Sequence, residues 1–377
     1  MQVLLIIRED AHRNLGGDTI QMLKTRAALE DLGVSVEVRG TDQMADLPAC
    51  DLSHVFNIQT AESSWAAFQS LQRAGMPTVL SSIYWDMLEH DFEFAVTQRA
   101  RWRLLARTLG KSRARELYIS WQRRKAPLKA KWQTQRRLLQ HALRVLPNSQ
   151  SEADLLQKTF ALDDDFQDKV SVVPNGIDTD LFDPVPQPSR AFMQEHGWRD
   201  FVLQVGAISP VKNQLGLIEA LYDLPVPLVF VGQPVAAMPE YAERCKARAA
   251  ERGNVLFAGR LPHEELPGIY ALAAVHALPS WRETPGLVSL EAAAAGCRVV
   301  TTSIGSTRDY FGDLAWYCHP DDLVSIRLAV EAALKASPLT TLRQRVLQKF
   351  TWQCAAEATL AAYQAALNPT RGAEGRV

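Results

Sequence analysis

The chain has 377 residues, more than one hydrophobic core ordinarily supports, so two domains are expected. With 47% apolar and 22% charged residues, its composition is that of a folded globular protein and excludes bulk disorder. No run approaches the roughly 18 apolar residues that span a bilayer. The apolar start before Arg8 is too short for a signal-peptide core, and five scattered cysteines without a C-x-x-C pair argue against a zinc site or disulfide framework, so a cytoplasmic location is expected.

The net charge of −1 hides a segregation. Between Arg99 and Arg144 lie fifteen Lys or Arg and one acid, Glu116, so this segment carries +14 and the remainder −15.

In chain order, residues 3–8 read as a buried strand, followed by a Gly16-Gly17 loop and a helix over 18–33 that stops at Gly33. Strands are predicted at 34–39, 52–58 and 76–83, with a helix near 63–74. The basic segment 91–142 reads as two or three helices. Residues 144–149 form a predicted strand ending at Ser149, whose spacing to Glu152 is that of a capping box. A strand over 169–178 runs into a turn, and "PVPQP" (184–188) is a stiff linker. The alternation then restarts, with strands at 201–208, 226–232, 254–259, 275–280 and 297–302 and helices near 238–252, 263–272 and 286–296. Helices over 340–366 are placed to cross back onto the first domain. Short apolar strands alternating with helices imply parallel sheets covered on both faces. The expected architecture is α/β: two Rossmann-like domains facing across a cleft, 1–185 with a helical insertion over 91–142, and 190–349, with 350–368 packing back on the first.

In such sheets ligands bind beyond the carboxyl ends of the strands. After 201–208 comes Ser209-Pro210-Val211-Lys212-Asn213. Lys212 falls in the predicted first helical turn, where a lysine adds to the anion preference of a helix N-terminus; the alternative is a solvated surface lysine. After 3–8, Gly16-Gly17 opens a helix, which suits either a ligand approach or a simple tight turn. After 275–280 comes "RETPGLVSLE", in which Gly286 starts a helix, Glu283 precedes it and Glu291 lies inside it. Both carboxylates can accept from paired hydroxyls, as ribose or hexose diols supply. The alternative for Glu291 is an ion pair with Arg298. Asp163-Asp164-Asp165 reads as a solvated acidic turn rather than a metal site.

Glu283-Thr-Pro-Gly286-Leu-Val-Ser-Leu-Glu291 resembles the E-x7-E motif of the retaining GT-B glycosyltransferases of family 4. "VVPNGIDTDLF" (172–182), "VGAISPVKNQLGLIEAL" (205–221) and "GCRVVTTSIGSTRDYFGD" (296–313) are similar to family segments in the same order. The resemblance implies a nucleotide-diphosphate sugar as donor, held mostly by the second domain, with no metal and no other cofactor. It implies that Glu291 holds the ribose hydroxyls and Glu283 the sugar hydroxyls. Gly286, Leu287 and Val288 would offer backbone N–H groups, Lys212 would meet the diphosphate, Gly17 would reach from the first domain, and Arg260 and Leu261 would lie beside the base. Lys212 and Glu283 are the implied catalytic residues. The family's Arg five positions before its Lys is here Ala207, which leaves Arg260 or Arg308 to replace it. The family's histidine after the strand at 76–83 is absent, and Tyr84, Trp85 and Asp86 are expected to line the acceptor side instead.

The basic segment interleaves its charges with Trp102, Tyr118, Trp121 and Trp132. That pattern suits an anionic membrane surface on which a lipid-linked glycan is extended, or a solvated helical insertion with its Trp packed inward; nucleic acid is disfavoured. The expected function is therefore a retaining hexosyltransferase of bacterial surface polysaccharide or lipopolysaccharide synthesis, peripheral on the inner face of the plasma membrane. The alternatives are another GT-B enzyme, such as a sugar-nucleotide epimerase or a phosphorylase, and a catalytically silent sugar-nucleotide-binding scaffold.

Overall fold

A computed structural model describes residues 1–13, 16–337 and 340–368. The chain divides into two compact units, residues 1–175 together with the C-terminal residues from Trp352, and residues 176–351.

The first unit is built on a four-stranded parallel sheet of β1 (Gln2–Ile7), β2 (Ser35–Gly40), β3 (Leu52–Phe56) and β4 (Thr78–Ser81), in the order β2-β1-β3-β4. Leu4, Leu5 and Ile6 are fully buried, as an apolar run covered on both faces must be. The helix Trp352–Leu367 packs against the helix Gly17–Asp31. It is pinned to β3 by the Tyr363 hydroxyl, 2.7 Å from His54 Nδ1. His54 Nε2 lies 2.9 Å from Ser81 Oγ, so both ring nitrogens are engaged. Burial holds that imidazole down at about 3.

Two predicted strands, 144–149 and 169–178, are reduced to isolated bridges, Leu80 to Val145, Val145 to Val170 and Ile177 to Thr351. Pro147 and Pro174 have no N–H to extend a ladder. Ser149 caps the helix Gln150–Phe160, its Oγ accepting from Glu152 N–H at 3.0 Å. The Glu152 carboxylate does not complete the usual reciprocal box. It accepts instead from Asn148 N–H (2.9 Å), Tyr84 N–H (2.7 Å) and the Ser82 hydroxyl. It is fully buried, and desolvation lifts its pKa to about 7.

The basic insertion contains four α-helices rather than two or three: Leu88–Gln98, Ala100–Leu109, Lys111–Lys125 and Ala130–His141. The first three enclose a small core of their own, Phe92, Ala95, Trp102, Ala114 and Tyr118. Trp102 meets Tyr118 edge-on at 5.0 Å, and Trp121 packs against the same cluster. Trp132 Nε1 donates to Thr159 O at 3.1 Å, and its ring packs near Phe160. Trp102, Tyr118, Trp121 and Trp132 therefore turn inward, whereas Phe94 is exposed.

The second unit has a six-stranded parallel sheet: β5 (Phe201–Val205), β6 (Leu228–Val231), β7 (Val255–Gly259), β8 (Ala273–Leu278), β9 (Arg298–Thr302) and β10 (Trp316–Cys318). Their order is β10-β9-β8-β5-β6-β7. The short β10 was not expected, nor were the helices Thr307–Phe311 and Leu323–Lys335. Apolar layers cover both faces of the sheet. Ile177 and Phe182 belong to this core, Ile177 N–H donates to Phe350 O at 2.9 Å, and Arg343 donates to Phe182 O at 2.8 Å. The division therefore falls at 175/176 and 351/352 and not at the expected 185 and 349, because burial of these two side chains binds residues 176–183 to the second sheet. Strand order reverses between β5 and β8, so the segments leaving these two neighbours diverge around a crevice at their carboxyl ends.

Candidate functional site

Lys212 leaves β5 and Glu283 leaves β8, one on each side of the point where strand order reverses. Lys212 ends a 3₁₀ turn, Pro210–Lys212, and does not sit in the first turn of an α-helix as expected. Asn213 follows at φ +57°, and the next helix, Gln214–Ala220, is short. Asn213 fastens the turn by donating to Pro279 O and Pro320 O, and Trp281 N–H donates to Val211 O at 2.8 Å. These bonds tie the post-β5 loop to the post-β8 loop. Lys212 Nζ then reaches Glu283 Oε1 at 2.6 Å. Glu283 is 6% exposed and Lys212 27% exposed, so the ion pair is partly desolvated.

The backbone of Glu283 is fixed as firmly as its side chain. Its N–H donates to Ile304 O at 3.3 Å, and its carbonyl accepts from Ser306 N–H at 2.9 Å. Gly305, at φ +114°, makes this approach possible; a Cβ there would lie 2.0 Å from Glu283 O. Gly286, at φ +82°, is the N-cap of the helix Leu287–Ala294, and a Cβ on it would sit 3.1 Å from Glu283 Oε2. The first N–H groups of that helix, those of Leu287 and Val288, have no intrahelical acceptor, and the helix starts from the glycine that packs against the Glu283 carboxylate. Lys212, Glu283, Gly286, Leu287 and Val288 thus form one array: a cation, a carboxylate and a helix N-terminus.

Glu291 lies one turn inside the same helix and is 9% exposed. Its in-chain partner is not Arg298, whose Nη1 donates to Ala274 O at 2.8 Å. The Tyr270 hydroxyl donates to Glu291 Oε2 at 3.1 Å, and His263 Nε2 lies 2.9 Å from Oε1. Burial, reinforced by the Glu291 charge, pushes the Tyr270 phenol well above its ordinary range, so it stays a donor. The sequence reading missed both residues. His263 follows β7 at a strand's carboxyl end, a detectable position, whereas Tyr270 reads from sequence as a core aromatic.

A third missed residue is His276 in β8, fully buried, with Nδ1 3.5 Å from Ser289 Oγ and no hydrogen-bond partner for Nε2. Burial and then the Lys212 charge lower its pKa to about 3, so the ring is neutral. Gln204 Oε1 on β5, Ser280 Oγ just after β8 and Thr301 Oγ1 on β9 are also buried without a partner among the described residues.

Arg260 follows β7 and is exposed, with no hydrogen bond or ion pair among the described residues, and Leu261 is half-buried against the core. Arg308 lies over the Tyr317 ring at 4.1 Å. Gly17, Tyr84, Trp85 and Asp86 belong to the first unit. A Cβ on Gly17 would meet nothing within 4 Å, whereas one on Gly16 would lie 2.6 Å from Asp18 Oδ1. The crowded glycine is therefore Gly16, because Asp18 turns back to bind Arg8, Asn57 and its neighbour's N–H. Tyr84 packs into the core, edge-on to Phe160 at 5.2 Å, so its ring does not line a surface as expected. Asp86 pairs with Arg123 of the insertion at 3.5 Å. Among the described residues no cluster of three His, Cys, Asp or Glu is arranged to hold a metal, and no helix is long and apolar enough to cross a membrane.

Comparison with known proteins bears on the family and the fold. The family model "Glycosyl transferases group 1" matches residues 189–347, and "Glycosyltransferase Family 4" matches 51–181. A D-inositol 3-phosphate glycosyltransferase of Segniliparus rotundus is 30% identical over 59% of this chain and 52% of its own length. The O-antigen chain mannosyltransferase B of Escherichia coli is 26% identical over 52% of this chain and 55% of its own. The chain thus spans about half the length of these two relatives. A D-inositol 3-phosphate glycosyltransferase of Mycolicibacterium smegmatis is 25% identical over 96% of this chain and 89% of its own. Among solved structures, sucrose-phosphate synthase from Thermosynechococcus elongatus superposes with a TM-score of 0.73 at 18% identity, covering 96% of this chain and 98% of the other. An Anabaena protein in complex with UDP and glucose gives 0.65 at 17% identity, covering 97% and 100%. The fold is GT-B.

Proposed function

For a chain that belongs to glycosyltransferase family 4, with the Lys212–Glu283 pair at the helix N-terminus, we propose a retaining transfer of a hexose from a nucleotide-diphosphate sugar to a glycan acceptor, without a metal or other cofactor. The observation that carries the proposal is that pair with Gly286 beneath it. Lys212 has three donors, and the one spent on Glu283 leaves two for phosphate oxygens. As the bond from sugar to diphosphate breaks, negative charge grows on the leaving phosphate. In this reading Lys212 and the N–H groups of Leu287 and Val288 receive it. Glu283, held on both sides of its backbone, takes hydroxyls of the transferred sugar. Glu291 takes the ribose diol. Arg260, exposed and unpaired, stands in for the arginine that Ala207 lacks, because Arg308 is committed to Tyr317.

The acceptor reading is a lipid-linked surface glycan, with the protein peripheral on the cytoplasmic face of the plasma membrane. The relatives named as an O-antigen mannosyltransferase and as inositol-phosphate glycosyltransferases support a bacterial glycan or phosphorylated polyol. The buried tryptophans give no support. Support comes from exposed apolar side chains set among the arginines, Phe94 (63%), Leu104 (62%), Leu117 (50%) and Leu128 (81%). Flotation with anionic liposomes at low salt is expected to carry the protein up, and reversal of Arg101, Arg113 and Arg124 to Glu to leave it at the bottom. Equal flotation of the two would sink the membrane reading.

Incubation with a panel of UDP-, GDP- and ADP-sugars tests the transfer reading. At least one donor should release its nucleotide, and Glu291→Ala should weaken that donor's KM by about tenfold or more, the worth of one lost charge-assisted hydrogen bond.

A further inference from the structure

We propose that Tyr270 and His263 position Glu291 for a vicinal diol, and that together they set how strictly the site demands both hydroxyls. The proposal rests on the reading of Glu291 as the ribose contact. A carboxylate offers about four lone-pair directions, two on each oxygen. Here each oxygen holds one in-chain donor: Tyr270 on Oε2 at 3.1 Å, His263 on Oε1 at 2.9 Å. One acceptor direction per oxygen remains, and two adjacent acceptors match two adjacent hydroxyls. With either donor removed, the carboxylate can turn about its terminal torsion, and the second hydroxyl loses its fixed partner.

The two supports differ in kind. Tyr270 is 1% exposed, its ring edge-on to His276 at 5.8 Å, so its hydroxyl cannot follow a moving carboxylate. His263 opens the 3₁₀ turn His263–Glu265 after β7, and its side chain is 44% exposed against 12% for Glu291. A carboxylate only accepts, so His263 Nε2 carries the proton in this contact. His263 therefore stands at the rim of the site and Tyr270 at its floor.

The test is calorimetric titration with UDP, GDP and ADP, followed by the 2′-deoxy and 3′-deoxy forms of whichever binds. Wild-type protein is expected to prefer the ribonucleotide by about tenfold or more over each deoxy form. Tyr270→Phe and His263→Ala should each shrink that ratio at least about threefold, while His263→Gln, which keeps a donor at the same reach, should restore it. A merely structural role would lower affinity for all forms alike and leave the ratio unchanged, and that result would overturn the proposal. His263 is half-exposed, so its variants keep the fold if Tyr270→Phe does not. The outcomes separate the two claims. If Glu291→Ala abolishes the preference and the His263 and Tyr270 variants do not, only the positioning claim fails. If Glu291→Ala leaves the preference intact, or no nucleotide binds, the ribose reading fails and this proposal with it.

Discussion

The two units gather polar side chains on and beside their parallel strands, and they treat most of them in opposite ways. In the first unit the cluster around Glu152 is closed, and Thr41 Oγ1, just past β2, stands apart from it as a buried atom with no partner among the described residues. Glu152 has three donors, His54 uses both nitrogens, and Gln21 and Asn148 exchange amide hydrogen bonds at 2.9 and 3.1 Å. In the second unit His276 Nε2, Gln204 Oε1, Ser280 Oγ and Thr301 Oγ1 are buried with no partner among the described residues, and Lys212 keeps two donors beyond its bond to Glu283. Unpaired buried polar atoms are costly, and native folds seldom keep several together without use. The closed cluster holds a fold together, whereas the open one has the unused hydrogen-bonding capacity on which the proposed donor site rests.

The largest expected effect lies in the open site. Lys212→Ala should reduce transfer by about 10²–10³ in kcat, the usual worth of one preorganised group facing developing charge. It also leaves Glu283 buried without its cation, at a cost of roughly 1–3 kcal/mol once the partial exposure of Lys212 is discounted. The double variant Lys212→Met, Glu283→Gln should recover most of that stability in chemical denaturation and none of the activity. Recovery of both would mean that the pair is structural.

A smaller effect of the opposite type is expected from Glu152→Ala. Three donors lose their acceptor in a buried setting, and the first unit should lose about 2–4 kcal/mol. Nucleoside diphosphate affinity, measured well below the melting temperature, should stay within about twofold. A matching loss of affinity would erase the distinction between the units.

The smallest effect is in pH dependence. His54 and His276 are both held at about 3, below the ordinary 6.5, because burial disfavours their charged forms. The unfolded chain therefore binds protons that the folded chain refuses. Stability from each histidine is fully present above about pH 6.5 and declines as pH falls toward 3. Glu152 runs the other way: its folded value of about 7 lies above the ordinary 4.5, so its contribution is present below 4.5 and is lost as pH rises through 7. Between pH 6.5 and 4.5 these slopes oppose each other in the first unit, whereas His276 is not offset in this way in the second. Amide exchange should slow less, or quicken more, in β8 and β9 than in β1 and β3 on going from pH 7 to 5, after correction for intrinsic rates. Equal shifts would contradict this assignment.

Most of the framework was legible because buried parallel strands are unbroken apolar runs, as in "VLLII" and "LVFV", and because the turns carry their own chemistry, as Ser149 does. The strands misread at 144–149 and 169–178 are apolar too, and their prolines were the overlooked signal. The Glu283–Gly286–Glu291 spacing marked the candidate site, and the fold brings Lys212 to Glu283. Local spacing left the supports invisible. Tyr270 and His263 meet Glu291 across 21 and 28 residues, and nothing near them in the chain marks them as more than a core ring and a loop histidine. The Lys212 turn was misplaced because Ser-Pro imitates a helix start, while Asn213 at φ +57° interrupts it.

Parallel donor turnover by wild-type protein and Glu283→Gln tests the central claim most directly. Across the UDP-, GDP- and ADP-sugar panel, wild type should release nucleotide from at least one donor. Glu283→Gln should bind the corresponding nucleoside diphosphate with near-normal affinity yet turn the donor over at least about a hundredfold more slowly. No turnover of any donor by the wild type, or equal turnover by the variant, would contradict the account.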